Sequence, residues 1–183
     1  MTAKIIVISC SLHPQSRSYL LARQILADLQ ARQIEASLYD LRDYDLDFCD
    51  ATTAHKTPAA LEIIAAIRQA DTVLMAVPIY NYDVNAAAKN LLEIGLGAWD
   101  NKLVGFICVA GGRSSYMSVM GLANHLMLDF RCLIIPRFVY ATGADFGDDR
   151  LETMYIAADE IRARLAELAE TAAKLTQALQ DVY

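Results

Sequence analysis

An unbroken run of β-branched residues close to the amino terminus, residues 5–8, constrains the fold of this chain most strongly. A strand that is apolar on both sides is typical of a parallel sheet covered by helices on both faces. A polar segment follows it, and then Leu21, Ile25 and Leu29 recur at the spacing of one helical face. The chain therefore begins with a strand, a loop and a helix, which is the repeating unit of an α/β domain.

The same alternation of apolar strand and helical pattern runs through the rest of the chain. Strands are predicted over residues 5–8, 35–41, 72–77, 102–110 and 132–140, the last with an irregularity at Pro136. The first helix ends near residues 30–33, and the other four are predicted over residues 58–70, 86–94, 116–130 and 151–179. Pro78 is expected to end the third strand, because proline has no N–H to donate to a neighbouring strand. This pattern predicts a parallel sheet with right-handed crossovers and helices on both faces.

Composition supports one globular domain and restricts its partners. The 183 residues are 55% hydrophobic and 21% charged, which suffices for one core, and no linker or repeat divides residues 1–183. The net charge of −6 argues against nucleic acid and anionic membranes, so small molecules or proteins are the expected partners. No apolar run has the length of a membrane span, and the chain starts without a secretory signal pattern, so a cytoplasmic location is expected.

Cysteines and histidines give no sign of a metal site. The four cysteines form no C-x-x-C pair, and Cys108 and Cys132 lie in apolar strand patterns, so reduced core residues are expected. A thiol at a helix start, such as Cys10, can have a lowered pKa, but no general base lies near it in sequence, and a structural role is favoured. The three histidines lack metal-ligand spacing, and no metal is expected.

Three loops with unusual residues follow the first, third and fourth predicted strands. Because parallel strands end at one edge of the sheet, where ligands bind, residues 9–18, 78–85 and 110–115 are expected to meet. The first loop combines serine hydroxyls with the free amides of a helix start, which suit a phosphate. The second carries two tyrosines and Asn81, and the third carries two adjacent glycines that let a ligand approach the backbone. Together they suit a ligand with a phosphate at one end and a flat ring system at the other.

Each loop also has a purely structural explanation. The serines could cap the helix without binding a ligand, Tyr80 and Tyr82 could be half-buried packing residues, and Gly111-Gly112 could form a tight turn. The coincidence of all three loops at one edge favours a shared pocket. The first loop lacks both the G-x-x-x-x-G-K-S/T and the G-x-G-x-x-G patterns, so a mononucleotide fits better than a nucleoside triphosphate or a dinucleotide. Arg17 is the only certain cation in this loop.

Three motifs resemble those of the NAD(P)H-dependent FMN reductase and quinone or azo reductase family. Ser11-x-x-x-x-Ser16-Arg17-Ser18 resembles the phosphate loop of that family, and Gly111-Gly112 resembles its glycine loop. The most specific match is Pro78-Ile-Tyr-Asn81 followed by Ala88-Lys89-Asn90, which resembles the P-x-Y-N and L-K-N segments. The resemblance covers nearly the whole chain. It implies a flavodoxin-like α/β fold, which is a doubly wound five-stranded parallel sheet of order 2-1-3-4-5 with helices on both faces.

The resemblance implies that ten residues of the three loops bind FMN. The phosphate would be held by Ser11, Ser16, Arg17 and Ser18. The ring would be bordered by Pro78, Ile79, Tyr80, Asn81, Gly111 and Gly112. No residue is assigned a catalytic role, because the cofactor carries the chemistry. The chain departs from the family at His13, where many members have arginine, and at Asn85-Ala86, which replaces Pro-Gly; the first departure could weaken phosphate binding and the second could alter the substrate pocket.

The resemblance further implies an oxidoreductase that takes hydride from NADPH or NADH and then reduces a small acceptor by a ping-pong mechanism. The acceptor would be a quinone, an azo compound or free flavin. A homodimer or homotetramer is expected, because the last helix is amphipathic and the chain is rich in apolar residues. Two alternatives stay open: an FMN-binding electron carrier without enzymatic activity, and a flavin-less interaction module of the same fold.

Overall fold

A mostly parallel β-sheet forms the centre of the protein in a computed structural model that describes residues 4–179. Its strands are β1 Lys4–Ser9, β2 Glu35–Asp40, β3 Thr72–Tyr80, β4 Asp83–Val84, β5 Leu103–Ala110, β6 Leu133–Ile134 and β7 Val139–Thr142. The main path of the sheet is β2-β1-β3-β5-β6, β7 pairs in parallel with β5, and the short β4 pairs antiparallel with β3. The predicted sheet and its order 2-1-3-4-5 are confirmed, since β5 is the fourth predicted strand and β6 with β7 forms the fifth.

Helices cover both faces of this sheet. Those of the α type are α1 Arg17–Ala31, α2 Pro58–Gln69, α3 Ala86–Gly95, α4 Met120–Phe130 and α5 Asp159–Leu179. Ile6 and Ile8 of β1 pack in the core shared with α2, α3 and α4, whereas Ile5 and Val7 pack in the core shared with α1 and α5. Burial on both faces explains why β1 is apolar over this whole run.

The third strand runs two residues beyond Pro78, so the prediction that this proline ends it is wrong. The amide of Cys10 donates to the carbonyl of Ala76, and the carbonyl of Cys10 accepts from Nδ2 of Asn85, so the missing N–H of Pro78 leaves this acceptor paired. On its other edge β3 stays paired with β5, and the last pair is Pro78 with Val109. The extension carries Tyr80 to the loop edge of the sheet.

The last two predicted helices begin later than expected. α5 begins at Asp159 because the preceding residues include a strand, β9 Tyr155–Ile156, which pairs antiparallel with β8 Phe146–Gly147. The apolar Ile156 is buried in that hairpin. α4 begins at Met120, after a 3₁₀ turn of residues 113–115. The irregularity expected at Pro136 is confirmed, since β6 and β7 end and begin on either side of it.

The limits of the described chain affect two of the predictions. Residues 1–3 and 180–183 of the predicted single domain lie outside the described residues. Within residues 4–179, no helix is both long and apolar enough to cross a membrane.

Candidate functional site

A cavity of about 600 Å³ at the carboxyl edge of the sheet borders all three predicted loops. Its volume lies in the range of small-molecule sites. The lining residues are Ser11, Arg17, Ser18, Pro78, Ile79, Tyr80, Asn81, Val109, Ala110, Gly111 and Arg150. Eight of the ten residues predicted to bind FMN line it together, and the other two, Ser16 and Gly112, adjoin lining residues in the chain. The residues predicted to bind FMN did not include Val109, Ala110 and Arg150, of which only Ala110 lies in a predicted loop.

The first loop joins β1 to α1 and ends in a capped helix start. Ser16 is the N-cap, and its hydroxyl accepts a hydrogen bond from the amide of Tyr19 at 3.0 Å. Arg17 and Ser18 occupy the first two helical positions, whose amides have no acceptor within the helix. The side chains of Ser11 and Ser18 lie in the cavity wall, and both residues are almost fully buried. Two hydroxyls and two amides therefore gather at this end of the cavity.

Two arginines from other parts of the chain hold the loop in place. Arg42 donates to the carbonyl of Pro14 at 2.7 Å, and Arg150 donates to the carbonyl of Gln15 at 2.5 Å. Within the loop, Nδ1 of His13 accepts from the amide of Gln15 at 3.0 Å. The loop is thus ordered by contacts of the chain itself.

Arg17 is neutralised by a carboxylate of the same chain. Its Nε donates to Oδ1 of Asp149 at 2.7 Å, and its Nη2 donates to Oδ2. These hydrogen bonds hold the pKa of Asp149 below its usual range and raise the pKa of Arg17. The guanidinium carbon also lies 5.9 Å from the centre of the Phe146 ring. The cation that the first loop offers is already paired.

Arg150 brings a second guanidinium to the same end of the cavity. It follows β8 in the chain and has a φ of 65°, in the left-handed region. Burial, and next the nearby charge of Arg17, lower its pKa. Among residues 4–179 it forms no ion pair with a carboxylate. The only sequence signal for it was a basic residue in a loop after the last parallel strand.

The second loop is a tight hairpin between β3 and β4. Asn81 and Tyr82 are its two central residues, with φ of 52° and 64°, as a two-residue type I′ turn requires. The turn presents Tyr80 and Asn81 to the cavity. The hydroxyl of Tyr82 lies 3.2 Å from Oγ of Ser114, which joins this hairpin to the third loop.

Asn85, one of the departures from the family pattern, connects the second loop to the first. Its backbone N–H donates to the carbonyl of Pro78 at 3.1 Å, and its Nδ2 donates to the carbonyl of Cys10 at 2.6 Å. The side chain is buried, and its Oδ1 has no partner among the described residues. The position that departs from the family therefore has a structural task in this chain.

The third loop follows β5 and is hydrogen-bonded to a tyrosine of β7. The hydroxyl of Tyr140 donates to the carbonyl of Gly112 at 2.7 Å and lies 2.7 Å from Oγ of Ser115. Neither Gly111 nor Gly112 has a positive φ, and a Cβ added to either would meet nothing within 4 Å. The tight-turn explanation therefore gives no reason for these glycines, and sequence reasoning missed Tyr140 because it reads as an ordinary strand residue.

Cys10 lies at the end of β1, well before α1 begins, and is fully buried. Burial raises the pKa of its thiol, and the charge of Asp40 adds to that effect. A thiol of this kind is unreactive at neutral pH. The structural role predicted for Cys10 is confirmed.

The fold and this cavity define a flavodoxin-like α/β protein with a ligand site at the carboxyl edge of its sheet. A solved flavodoxin from the domain Archaea has a TM-score of 0.64, with 95% of this chain and 99% of that chain covered. The two sequences are 11% identical, so this likeness concerns the fold alone.

Residues 3–146 match the family described as NADPH-dependent FMN reductase, and the chain belongs to that family. It is 26% identical over 158 residues to the NAD(P)H-dependent FAD/FMN reductase of Geobacillus thermodenitrificans (strain NG80-2), covering 84% of this chain and 83% of that protein. It is 30% identical over 176 residues to the NADH-dependent FMN reductase SfnF of Pseudomonas fluorescens (strain Pf0-1), covering 94% and 91%. The predicted family, the enzyme class and the use of FMN with NAD(P)H are confirmed at the level of the family.

Proposed function

We propose that this protein takes hydride from NADPH or NADH through bound FMN and reduces small acceptors, such as quinones, azo compounds or free flavin, by a ping-pong mechanism. The observation that carries the proposal is the single cavity of about 600 Å³ that borders all three loops. Its lining combines serine hydroxyls and guanidinium groups with Gly111, beside which the chain leaves open space. A ligand with a phosphate at one end and a planar ring at the other needs this arrangement.

The phosphate of FMN would be held by the first loop. Ser11 and Ser18 would supply hydroxyls, while Arg17 and Ser18 would supply amides at the positive end of α1. Ser16 would act through the helix, since its hydroxyl already caps α1. His13 is not a lining residue and accepts a hydrogen bond from within the loop, so the histidine would support the loop rather than reach the phosphate.

The ring of FMN would lie between the second and third loops. The bordering residues would be Pro78, Ile79, Tyr80 and Asn81 on one side and Gly111 and Gly112 on the other. The chain itself leaves the space beside both glycines empty, which is what a ring packed against backbone requires. FMN, when bound, supplies the capacity to accept two electrons from a nicotinamide and to pass them to an acceptor.

The residues around the cavity would bind and orient rather than move protons. None of the eleven lining residues is Asp, Glu, His or Cys, so the cavity offers no general acid–base pair. Because this one cavity borders every loop, the nicotinamide and the acceptor would occupy it in turn, as a ping-pong mechanism requires.

Absorption spectroscopy of the purified protein tests this proposal. The protein is loaded with FMN, freed of excess flavin and mixed anaerobically with NADPH or NADH in a stopped-flow instrument. Bleaching of the flavin bands is expected to be much faster than that of free FMN in the same buffer, and added quinone should restore the bands. Steady-state rates at several fixed quinone concentrations should give parallel double-reciprocal lines.

Three results would contradict the proposal in different ways. Bound flavin that both nicotinamides leave oxidised would indicate an electron carrier instead of a reductase. Intersecting double-reciprocal lines would exclude the ping-pong order while leaving the reductase activity in place. Absence of any flavin binding would remove the functional assignment of all three loops.

A homodimer or homotetramer forms part of the same proposal. α5 gives it no support, because the apolar residues of this helix pack into the core of the subunit. Support comes from a second cavity of about 600 Å³ between α3 and α4, where Leu96 and Leu128 are 48% and 76% exposed. Light scattering coupled to gel filtration should give at least twice the chain mass of 20.2 kDa, and a monomer would contradict this part of the proposal.

A further inference from the structure

Two guanidinium groups lie at the phosphate end of the cavity, and only one of them has a carboxylate partner. Arg17 donates to both carboxylate oxygens of Asp149, so the pair carries no net charge. Arg150 forms no ion pair among residues 4–179 and uses Nη1 to hold the carbonyl of Gln15. The uncompensated positive charge at this end of the cavity is therefore that of Arg150.

Arg150 is held at a defined place on the first loop. The family match ends at residue 146, four residues before Arg150. Its hydrogen bond to the carbonyl of Gln15 holds the guanidinium at the first loop, and Arg150 lines the same cavity as Ser11 and Ser18. The guanidinium has five N–H donors, and most of them are left for a ligand.

We infer that Arg150 is the cation that recognises the phosphate of FMN, and that Arg17 with Asp149 is a neutral pair that positions the loop. This inference rests on the proposed placement of FMN in the cavity. A phosphate monoester carries about −1.5 to −2 charges at neutral pH, and it would meet repulsion from Asp149 that offsets the attraction of Arg17. Asp149 forms no ion pair with Arg150, and its effect on the pKa of Arg150 is smaller than that of Arg17.

The inference predicts a difference between FMN and riboflavin, which lacks the phosphate. Both flavins are titrated into the apoprotein, and quenching of their fluorescence gives the dissociation constants. For Arg150→Gln, the affinity for FMN should fall by about 10- to 100-fold, since a charge-assisted hydrogen bond is lost, while that for riboflavin should change by less than about threefold. Arg150→Lys keeps the charge and should recover most of the affinity for FMN.

Two further measurements separate recognition of charge from support of the loop. The affinity of the wild type for FMN should fall as salt rises, and this dependence should be shallower in Arg150→Gln, because a charge is missing from the site. Asp149→Asn should raise the affinity for FMN and leave that for riboflavin unchanged, because it unmasks the charge of Arg17. Arg164→Gln removes one exposed positive charge from α5, away from the cavity, and should change neither affinity.

Several outcomes would overturn the inference. It fails if Arg150→Gln weakens FMN and riboflavin equally, if its salt dependence matches that of the wild type, or if Asp149→Asn weakens FMN selectively. In each case the wild type still binds FMN, and the proposed function is untouched. If the wild type binds neither flavin, the proposed function fails first and the inference fails with it.

Discussion

The substitution Gly111→Ala separates the two explanations for the glycine pair of the third loop. If the glycines serve only the backbone, an added methyl group should cost stability. If they leave space for a ring, the methyl group should cost nothing in the apoprotein and should interfere with FMN. The two explanations therefore predict opposite patterns of stability and binding.

The structure gives the magnitudes for the apoprotein. A Cβ at Gly111 meets nothing within 4 Å, and the residue has no positive φ, so the substitution introduces no strain. Because alanine restricts the unfolded chain more than glycine does, we expect the free energy of unfolding to rise by about 0.4–1 kcal/mol.

Gly105 in the middle of β5 provides the matched control. A Cβ there would lie 2.7 Å from Cδ2 of Leu74 and 3.3 Å from Cδ1 of Ile135, inside a packed core. Overpacking of this kind costs about 1–3 kcal/mol, so Gly105→Ala should lower the free energy of unfolding. The same substitution is therefore expected to raise the free energy of unfolding at Gly111 and to lower it at Gly105.

Gly111→Ala should weaken flavin binding, although it stabilises the apoprotein. A methyl group forced into space that the ring needs should cost about 1–3 kcal/mol of binding energy, or about 5- to 150-fold in affinity. Riboflavin should lose as much as FMN, because both carry the same ring. Gly105→Ala should leave both affinities close to those of the wild type wherever the protein is folded.

Urea unfolding followed by circular dichroism gives the stabilities, and fluorescence titration gives the two affinities. The reasoning is refuted if Gly111→Ala binds FMN as tightly as the wild type, since the ring would then lie elsewhere. It is equally refuted if Gly111→Ala unfolds as easily as Gly105→Ala, since the glycine would then be needed by the backbone.

Three further predictions concern side chains that hold the loops and the core. Tyr140→Phe removes the hydrogen bond to the carbonyl of Gly112 and should cost about 1 kcal/mol in urea unfolding, with a several-fold loss of FMN affinity in the fluorescence titration. Asn85→Ala removes the buried hydrogen bond to the carbonyl of Cys10 and should cost about 1–3 kcal/mol by the same measurement. Burial raises the pKa of Cys108 to about 12 and that of Cys132 to about 11, whereas unfolded thiols ionise near pH ~8.5. The stabilisation from holding these thiols neutral is complete below pH ~8.5 and is lost as the pH rises toward their folded-state pKa values. Urea midpoints should therefore fall above that pH. Cys108→Ala should make the free energy of unfolding less dependent on pH in this range, by up to about 1.4 kcal/mol per pH unit.

The strands and most of the site residues follow from local patterns in the sequence. Residues 5–8 are apolar at every position because β1 is buried on both faces, and that single fact predicts a parallel sheet. The three loops meet because parallel strands end at one edge, and the resemblance of their motifs to the family then indicated eight of the residues that line the cavity.

The parts that could not be predicted depend on contacts between distant residues. The start of α5 was misplaced because residues 155–156 form a strand that pairs with Phe146 and Gly147, which no local pattern indicates. Arg150 and Gln15 are 135 residues apart, and Arg17 and Asp149 are 132 residues apart. No local pattern indicates that Arg17 is already paired or that a second cation lies beside it. The continuation of β3 through Pro78 likewise depends on hydrogen bonds of residues outside that strand.

Four side chains share one task that the sequence did not indicate, which is to donate to carbonyl groups of the ligand loops. The donors Asn85, Arg42, Arg150 and Tyr140 bind, in that order, the carbonyls of Cys10, Pro14, Gln15 and Gly112. Carbonyl oxygens near a phosphate repel it, so binding each to a donor leaves the loop amides as the groups available to an anion. The entropy lost in ordering the loops is then lost when the protein folds, and not when the ligand binds. Two chains with identical loop motifs but different donors should therefore bind FMN with different affinities, which is why the motifs alone identify the site without setting its strength.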